Sequence, residues 1–302
     1  MWRSFSSLCC HRVHFANSFA DSCSVEATAD ETPCCCFGAA GSSRDEQFEQ
    51  RIFNLVARPP AYTSTSLQEL GNNAKKRPRI EIPLPPPLVG ATWEHERWRY
   101  VADNTDLLEA DDGPRQGLQS TLATLLQTAP TNTPFVLHDV HSQRSVCGDD
   151  LKPDMVLSLR GKPVVPITTG FILELKRQDT PYDTDQNVGK AITYGRTCLQ
   201  QLPRSLRSKM LVGLTDLRTI TIICVTLAEP DTFSFELSAK LPDVRHVLLK
   251  LLSSPAYYLH VEMPNLGPSV DIIDFLGRGA TSNVYKATQS GQQVTTDMYT
   301  SC

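Results

Sequence analysis

Two apolar segments constrain the fold of this chain more than anything else in it: DMVLSL, Asp154 to Leu159, and GFILELK, Gly170 to Lys176. Each has strand length, and each is apolar at consecutive positions rather than at every second one. That is the pattern of a strand buried on both faces. A sheet built of such strands needs helices on its two sides. The neighbouring sequence supplies them. Gly113-Pro114 opens a helix with Leu118, Leu122, Leu125 and Leu126 at steps of three and four, and FVLHDV, Phe135 to Val140, reads as a strand. After FILELK come a helix from about Asp185 to Gln201, the strands KMLVGLTD (Lys209 to Asp216) and TITIICVTL (Thr219 to Leu227), and a closing helix at about Pro242 to Leu252. The order helix, three strands, helix, two strands predicts an α/β or α+β domain with a mixed sheet flanked by helices, over residues 91–265.

Composition sets the limits. At 302 residues with 40% hydrophobic content the chain can hold one large or two small cores. A formal net charge of -4 gives no global attraction for nucleic acid, so such binding needs a local basic surface. No apolar run approaches the ~18 residues of a membrane-spanning helix, which argues against a membrane partner. Cys147, Cys198 and Cys224 read as small buried hydrophobes in a reducing, intracellular setting, and no cysteines form a C-x-x-C pair.

The flanks differ in texture. Residues 1–45, rich in Ser, Ala and Cys, are expected to be an unfolded leader, with a transit peptide as the other reading of the first twenty. Residues 46–90 read as a short amphipathic helix, Ser42 to Arg58, running into an extended proline-rich linker from Pro59. The linker's basic cluster, Lys75, Lys76, Arg77 and Arg79, suits a nuclear import signal or a solvated run of charge. The aromatics Trp93, Trp98 and Tyr100 are expected to close one edge of the core.

Charge at the strand ends carries the functional reading. Residues i and i+2 of a strand share a face, so Glu174 and Lys176 stand together. The short connection RGKPVVPITTG makes the two apolar strands sheet neighbours, which lets Asp154 reach the Glu174 side. Two carboxylates converging at a strand end can hold Mg²⁺, which takes oxygen ligands and keeps waters for a substrate phosphate. Lys176 would serve the attacking water or the charge developing on phosphorus. The bland alternative is a solvated salt bridge.

The motif Pro153-Asp154 followed by Glu174-Leu175-Lys176, on strands in this order, resembles the PD-(D/E)XK nuclease superfamily, whose core is a restriction-endonuclease-like mixed sheet flanked by helices. The resemblance implies Mg²⁺-dependent cutting of DNA, with Asp154 and Glu174 on the metal, Lys176 as catalytic lysine and Gln186, on the following helix, orienting water or phosphate. Lys190 and Tyr194 are further candidates on that helix. An acid on the first helix often completes such sites; Glu109 and Asp112 are the ones at hand, while Asp149 and Asp150 read as loop acids, and His138 and Asp139, at a strand end, as a structural pair or as groups approaching the cleft. Nucleic acid would meet a surface drawn from Arg160, Lys162, Arg177, Lys190, Arg196, Arg204, Arg207 and Lys209. The competing expectation is a non-catalytic regulatory module on the same fold.

Residues 266–302 are a different element. DIIDFLGRGATSNVYKATQSGQQ reads as a strand, a glycine turn and a second strand. Leu276, Gly277, Gly279 and Val284, followed by Tyr285-Lys286-Ala287, resemble the first hairpin of the eukaryotic protein kinase fold, with Ser282 in place of the third glycine. The resemblance implies ATP as ligand of that loop. The chain ends in VTTDMYTSC without a V-A-I-K lysine, an H-R-D loop or D-F-G, so the expectation is an incomplete kinase-like segment of a longer protein, unable to phosphorylate. The pairing resembles the nuclease-plus-kinase architecture of Crinkler-type effector proteins, although the leader lacks their L-x-L-F-L-A-K type motif.

Overall fold

The computed structural model describes residues 12–14, 63–84, 86, 95–103, 118–127, 132–140, 146–147, 151–178, 181–202, 206–229, 232–263, 270–278, 282–289 and 291–299. In chain order the elements are β1 (Arg12–His14), α1 (Ser64–Lys75), β2 (Arg79–Ile80), α2 (His95–Asp103), α3 (Leu118–Gln127), β3 (Phe135–Asp139), β4 (Met155–Leu159) and β5 (Thr169–Leu175). There follow α4 (Asp185–Gln200), β6 (Lys209–Thr215), β7 (Thr219–Glu229), β8 (Thr232–Ser238), β9 (Leu241–Pro242), α5 (Val244–Ser253), β10 (Val270–Arg278), β11 (Ser282–Gln289) and β12 (Gln292–Tyr299).

The main sheet has the order β2-β8-β7-β6-β5-β4-β3, with β9 paired to β7 off that path. β3, β4 and β5 form an antiparallel meander, and α4 then returns the chain so that β6 lies parallel to β5. Alternation along β5 sorts the core into two layers. Phe171, Leu173 and Leu175 face the cluster that takes in Trp98 of α2, Leu122 of α3 and Leu248 of α5, whereas Ile172 faces the α4 side with Val188 and Ile192. The fold is therefore mixed α+β, an open sheet between helical layers, as the runs of apolar residues require.

The α4 layer has a second member that the sequence does not announce. The segment expected to be extended linker forms α1, whose Thr63 caps the N-terminus by accepting from Ser66 N at 3.2 Å. Two glycines let it lie directly on α4. A Cβ on Gly71 would sit 1.7 Å from the Asp185 carbonyl oxygen, and one on Gly189 would sit 1.9 Å from that of Leu67. Lys75 completes the contact at 2.9 Å from Asp185, and Arg77 stacks 4.3 Å from the Phe235 ring of β8.

Other departures from the sequence reading are smaller. Trp98 is buried on α2 but Tyr100 is exposed, and Trp93 lies outside the described residues. β8 and β12 are additional strands. Arg12–His14, inside the expected unfolded leader, pairs with β12. The helix expected over Ser42 to Arg58 lies outside the described residues. No helix among those described is long and apolar enough to cross a membrane.

β10, β11 and β12 form an antiparallel meander. It docks on the main domain through Tyr285, which is 0% exposed, shares a cluster with Cys198 and Ile167, and donates its hydroxyl to the Gln201 carbonyl at the end of α4. Lys162, in the β4–β5 connection, meets Asp271 at 2.8 Å. Both contacts fall at the end of the sheet opposite to Asp154.

Candidate active site

Antiparallel register pairs Met155 with Leu173, so the next pair along is Asp154 and Glu174, side by side where β4 begins and β5 ends. Alternation turns Glu174 toward α4, onto the face that Ile172 fills with an apolar side chain two residues earlier. Glu174 is 1% exposed. A carboxylate so placed requires compensating donors, and two arrive: Lys176 Nζ, from the residue just past β5, and Lys190 Nζ, from α4, each 2.8 Å from Oε1. Oε2 is buried and has no hydrogen-bond partner among the described residues. Asp154 Oδ2 accepts from the Leu175 backbone N at 2.6 Å.

Burial pushes the Asp154 carboxyl up to about 7, and the charge of Glu174 adds to the rise. The Leu175 N–H and the ammonium groups of Lys176 and Lys190 oppose it. Near neutral pH Asp154 thus sits where a small change in local charge decides its protonation.

Tyr194, one turn beyond Lys190, supports this cluster from α4. Its hydroxyl donates to the Lys152 carbonyl at 2.8 Å, which holds the approach to Pro153 and Asp154, and the Lys190 ammonium lies 5.5 Å from its ring. Burial first, then the nearby Glu174 and Asp154, push the Tyr194 hydroxyl well above its ordinary range, so it remains a donor. Gln178 ties the loop after Lys176 to the Ala102 and Asp216 carbonyls. Tyr194 is one of the candidates the sequence offers on α4, though as a site group rather than a tether; Gln178 is not, and an amide two residues past Lys176 is the only hint of it in the sequence.

The structure thus gathers Asp154, Glu174, Lys176, Lys190 and Tyr194. Gln186 is exposed in the first turn of α4, one turn before Lys190, and the donors to Glu174 Oε1 are Lys176 and Lys190 rather than Gln186. His138 and Asp139 point to opposite faces of β3, and burial pushes His138 below its ordinary value. Glu109, Asp112, Asp149 and Asp150 lie outside the described residues.

Only part of the expected basic surface lies at this cluster: Lys190 belongs to it and Arg177 directly follows Lys176. Arg160, Lys162, Arg207 and Lys209 lie at the far end of the sheet, beyond the end of β4 or at the start of β6. Arg207 is 4% exposed and donates to the carbonyls of Thr169, Gly170, Lys209 and Leu259, so it is a structural clamp rather than a phosphate ligand. Arg196 stacks on Phe233 at 4.9 Å, and Arg204 lies outside the described residues.

In the tail, Leu276 and Val284 are half-buried, Gly277 lies in β10, and Gly279 falls outside the described residues. Strand β12, QQVTTDMY, carries no lysine.

Fold and site together define a three-layer domain with a buried acid–lysine cluster at the ends of neighbouring strands. A family model described as a domain of unknown function, DUF6826, matches residues 120–205, a stretch that contains every member of that cluster. No curated protein and no solved structure matches the chain.

Proposed function

We propose that this domain is a Mg²⁺-dependent phosphodiesterase of the PD-(D/E)XK nuclease-like kind, acting on nucleic acid with DNA as first candidate. One observation carries the reading: Asp154 and Glu174 lie side by side at two strand ends with Lys176 against Glu174. The order α3, β3, β4, β5, α4, β6 around one mixed sheet supports the restriction-endonuclease-like arrangement that the motif implies.

The residues suit Mg²⁺. Glu174 Oε2 is buried with no hydrogen-bond partner among the described residues, and Asp154 stands beside it. Two carboxylates leave most of an octahedral shell to water and substrate, as this cation prefers. Bound Mg²⁺ would polarise a phosphate and lower the pKa of a coordinated water. Lys176 would orient that water, Lys190 would offset negative charge growing on the phosphate, and Tyr194 would keep the Asp154 loop in place. Gln186 would reach a phosphate only from the solvent side. The β10–β12 meander is read as the glycine-loop part of a kinase-like unit with ATP as its ligand, one that lacks a phosphate-pairing lysine on β12.

A second reading has its own observation. Glu174 Oε1 already accepts from two ammonium groups, so the cluster can be satisfied as a buried ion triad in a non-catalytic regulatory module. Calorimetric titration with Mg²⁺ and Mn²⁺ separates the two. The phosphodiesterase reading predicts binding that is lost in Asp154→Asn and in Glu174→Gln. A folded wild-type domain that binds neither ion, with or without oligonucleotide, would favour the ion triad.

A further inference from the structure

The basic cluster at residues 75–79 is folded at the same edge of the sheet as the acid–lysine site. β8 is antiparallel to β7 and β7 to β6, so β8 runs with β6 and β5, and their C-terminal ends share the edge that holds Glu174. Register places Arg79 beside Leu237 and Ile80 beside Ser238, the last residues of β8. α1 runs antiparallel to α4, with Leu67 at Gly189 and Gly71 at Asp185, which brings its C-terminus to the first turn of α4. At about 4.8 Å per strand, the four steps from β5 to β2 place Arg79 roughly 19 Å from Glu174.

The charges in between favour an anion. Lys76, Arg77 and Arg79 are exposed. Arg77 is held by Phe235, through its ring and through a 3.2 Å bond from Nη1 to the carbonyl. Of the acids on the way to the site, Asp185 is matched by Lys75 at 2.9 Å and Asp183 by Lys240 at 3.0 Å, while Asp216, just past β6, accepts from the backbone N–H groups of Arg218 and Thr219. Glu236 points to the opposite face of β8, and Glu81, beyond β2, is the nearest acid in sequence to the patch.

We infer that Lys76, Arg77 and Arg79 form a phosphate-contacting surface that guides a nucleic-acid strand past the first turn of α4 to the Asp154–Glu174 site. The inference rests on the phosphodiesterase reading for its destination. A span of roughly 19 Å corresponds to about five to six steps of one duplex strand at about 3.4 Å each, enough for Lys76 and Arg79 to hold the backbone while a phosphate lies at Lys176.

The test is fluorescence anisotropy of labelled single-stranded and duplex oligonucleotides with the full chain in EDTA, across a salt series. Lys76→Ala/Arg79→Ala should weaken binding about tenfold and flatten the salt slope by about two charges, with an unchanged melting temperature. Lys162→Ala/Lys209→Ala, at the far edge, should bind as wild type does. Unchanged affinity in the first pair, loss confined to the second, or no binding by the wild type would overturn the surface. Parallel Mg²⁺ cleavage assays keep the two claims apart. Binding that depends on Lys76 and Arg79 without cleavage leaves the surface standing and removes the hydrolase; cleavage that ignores both residues does the reverse.

Discussion

At the scale of single residues, the acid–lysine cluster makes stability depend on pH in a defined sense. Asp154 has its pKa raised from 3.8 to about 7 in the folded state, so the folded chain holds that proton where the unfolded chain releases it. Its contribution is fully present below about pH 4 and is lost as pH rises to about 7. In EDTA, chemical denaturation should show wild type losing roughly 2–4 kcal/mol relative to Asp154→Asn over that window; parallel curves for the two proteins would contradict the burial of this carboxyl. Arg207 gives a second residue-scale expectation. Arg207→Met strands several buried carbonyls and should cost at least about 3 kcal/mol, with no effect on nucleic-acid affinity in whatever fraction remains folded. The sequence showed Asp154, Glu174 and Lys176 because a two-residue period and a short connection suffice to bring them together. It could not show that Arg207 is a clamp, because an arginine after a loop looks the same whether its fork meets carbonyls or water.

At the scale of elements, the sheet was legible and the partner of α4 was not. Strands β3 to β7 and helix α4 announce themselves through apolar runs and periodicity. β8 is not among the apolar runs, although TFSFELS alternates apolar and polar residues, the mark of a half-buried strand. α1 was obscured by its proline-rich surroundings and by a weak apolar stripe; its stability comes from lying against α4 rather than from its own propensity. That dependence can be measured. Gly189→Ala improves helix propensity by about 1 kcal/mol, yet its Cβ would meet the Leu67 carbonyl at 1.9 Å. A net destabilisation of about 1–3 kcal/mol is expected, together with faster amide exchange across α1. A net gain in stability would mean that the helices do not approach so closely.

At the scale of the whole molecule, α4 joins three parts. Its first turns supply Lys190 and Tyr194 to the site, its flank carries α1 and the basic turn, and its end meets Tyr285 of the meander. The described contacts of the meander therefore fall at the edge away from Asp154 and Glu174. Tyr285→Ala should raise amide exchange in β10 and β11 while leaving β4 and β5 protected, as hydrogen–deuterium exchange would report. The sequence implied two units but not their contact, since Tyr285 within a glycine-loop pattern gives no sign of which surface it meets.

The central claim is that the charges at the strand ends perform phosphodiester chemistry. Its most direct test is cleavage of supercoiled and single-stranded DNA by the purified chain in Mg²⁺ or EDTA, beside Asp154→Ala and Lys176→Ala. The account predicts Mg²⁺-dependent cutting by the wild type and a loss of about a hundredfold or more in each variant. No cutting by folded wild-type protein, or cutting that survives both substitutions, would contradict it.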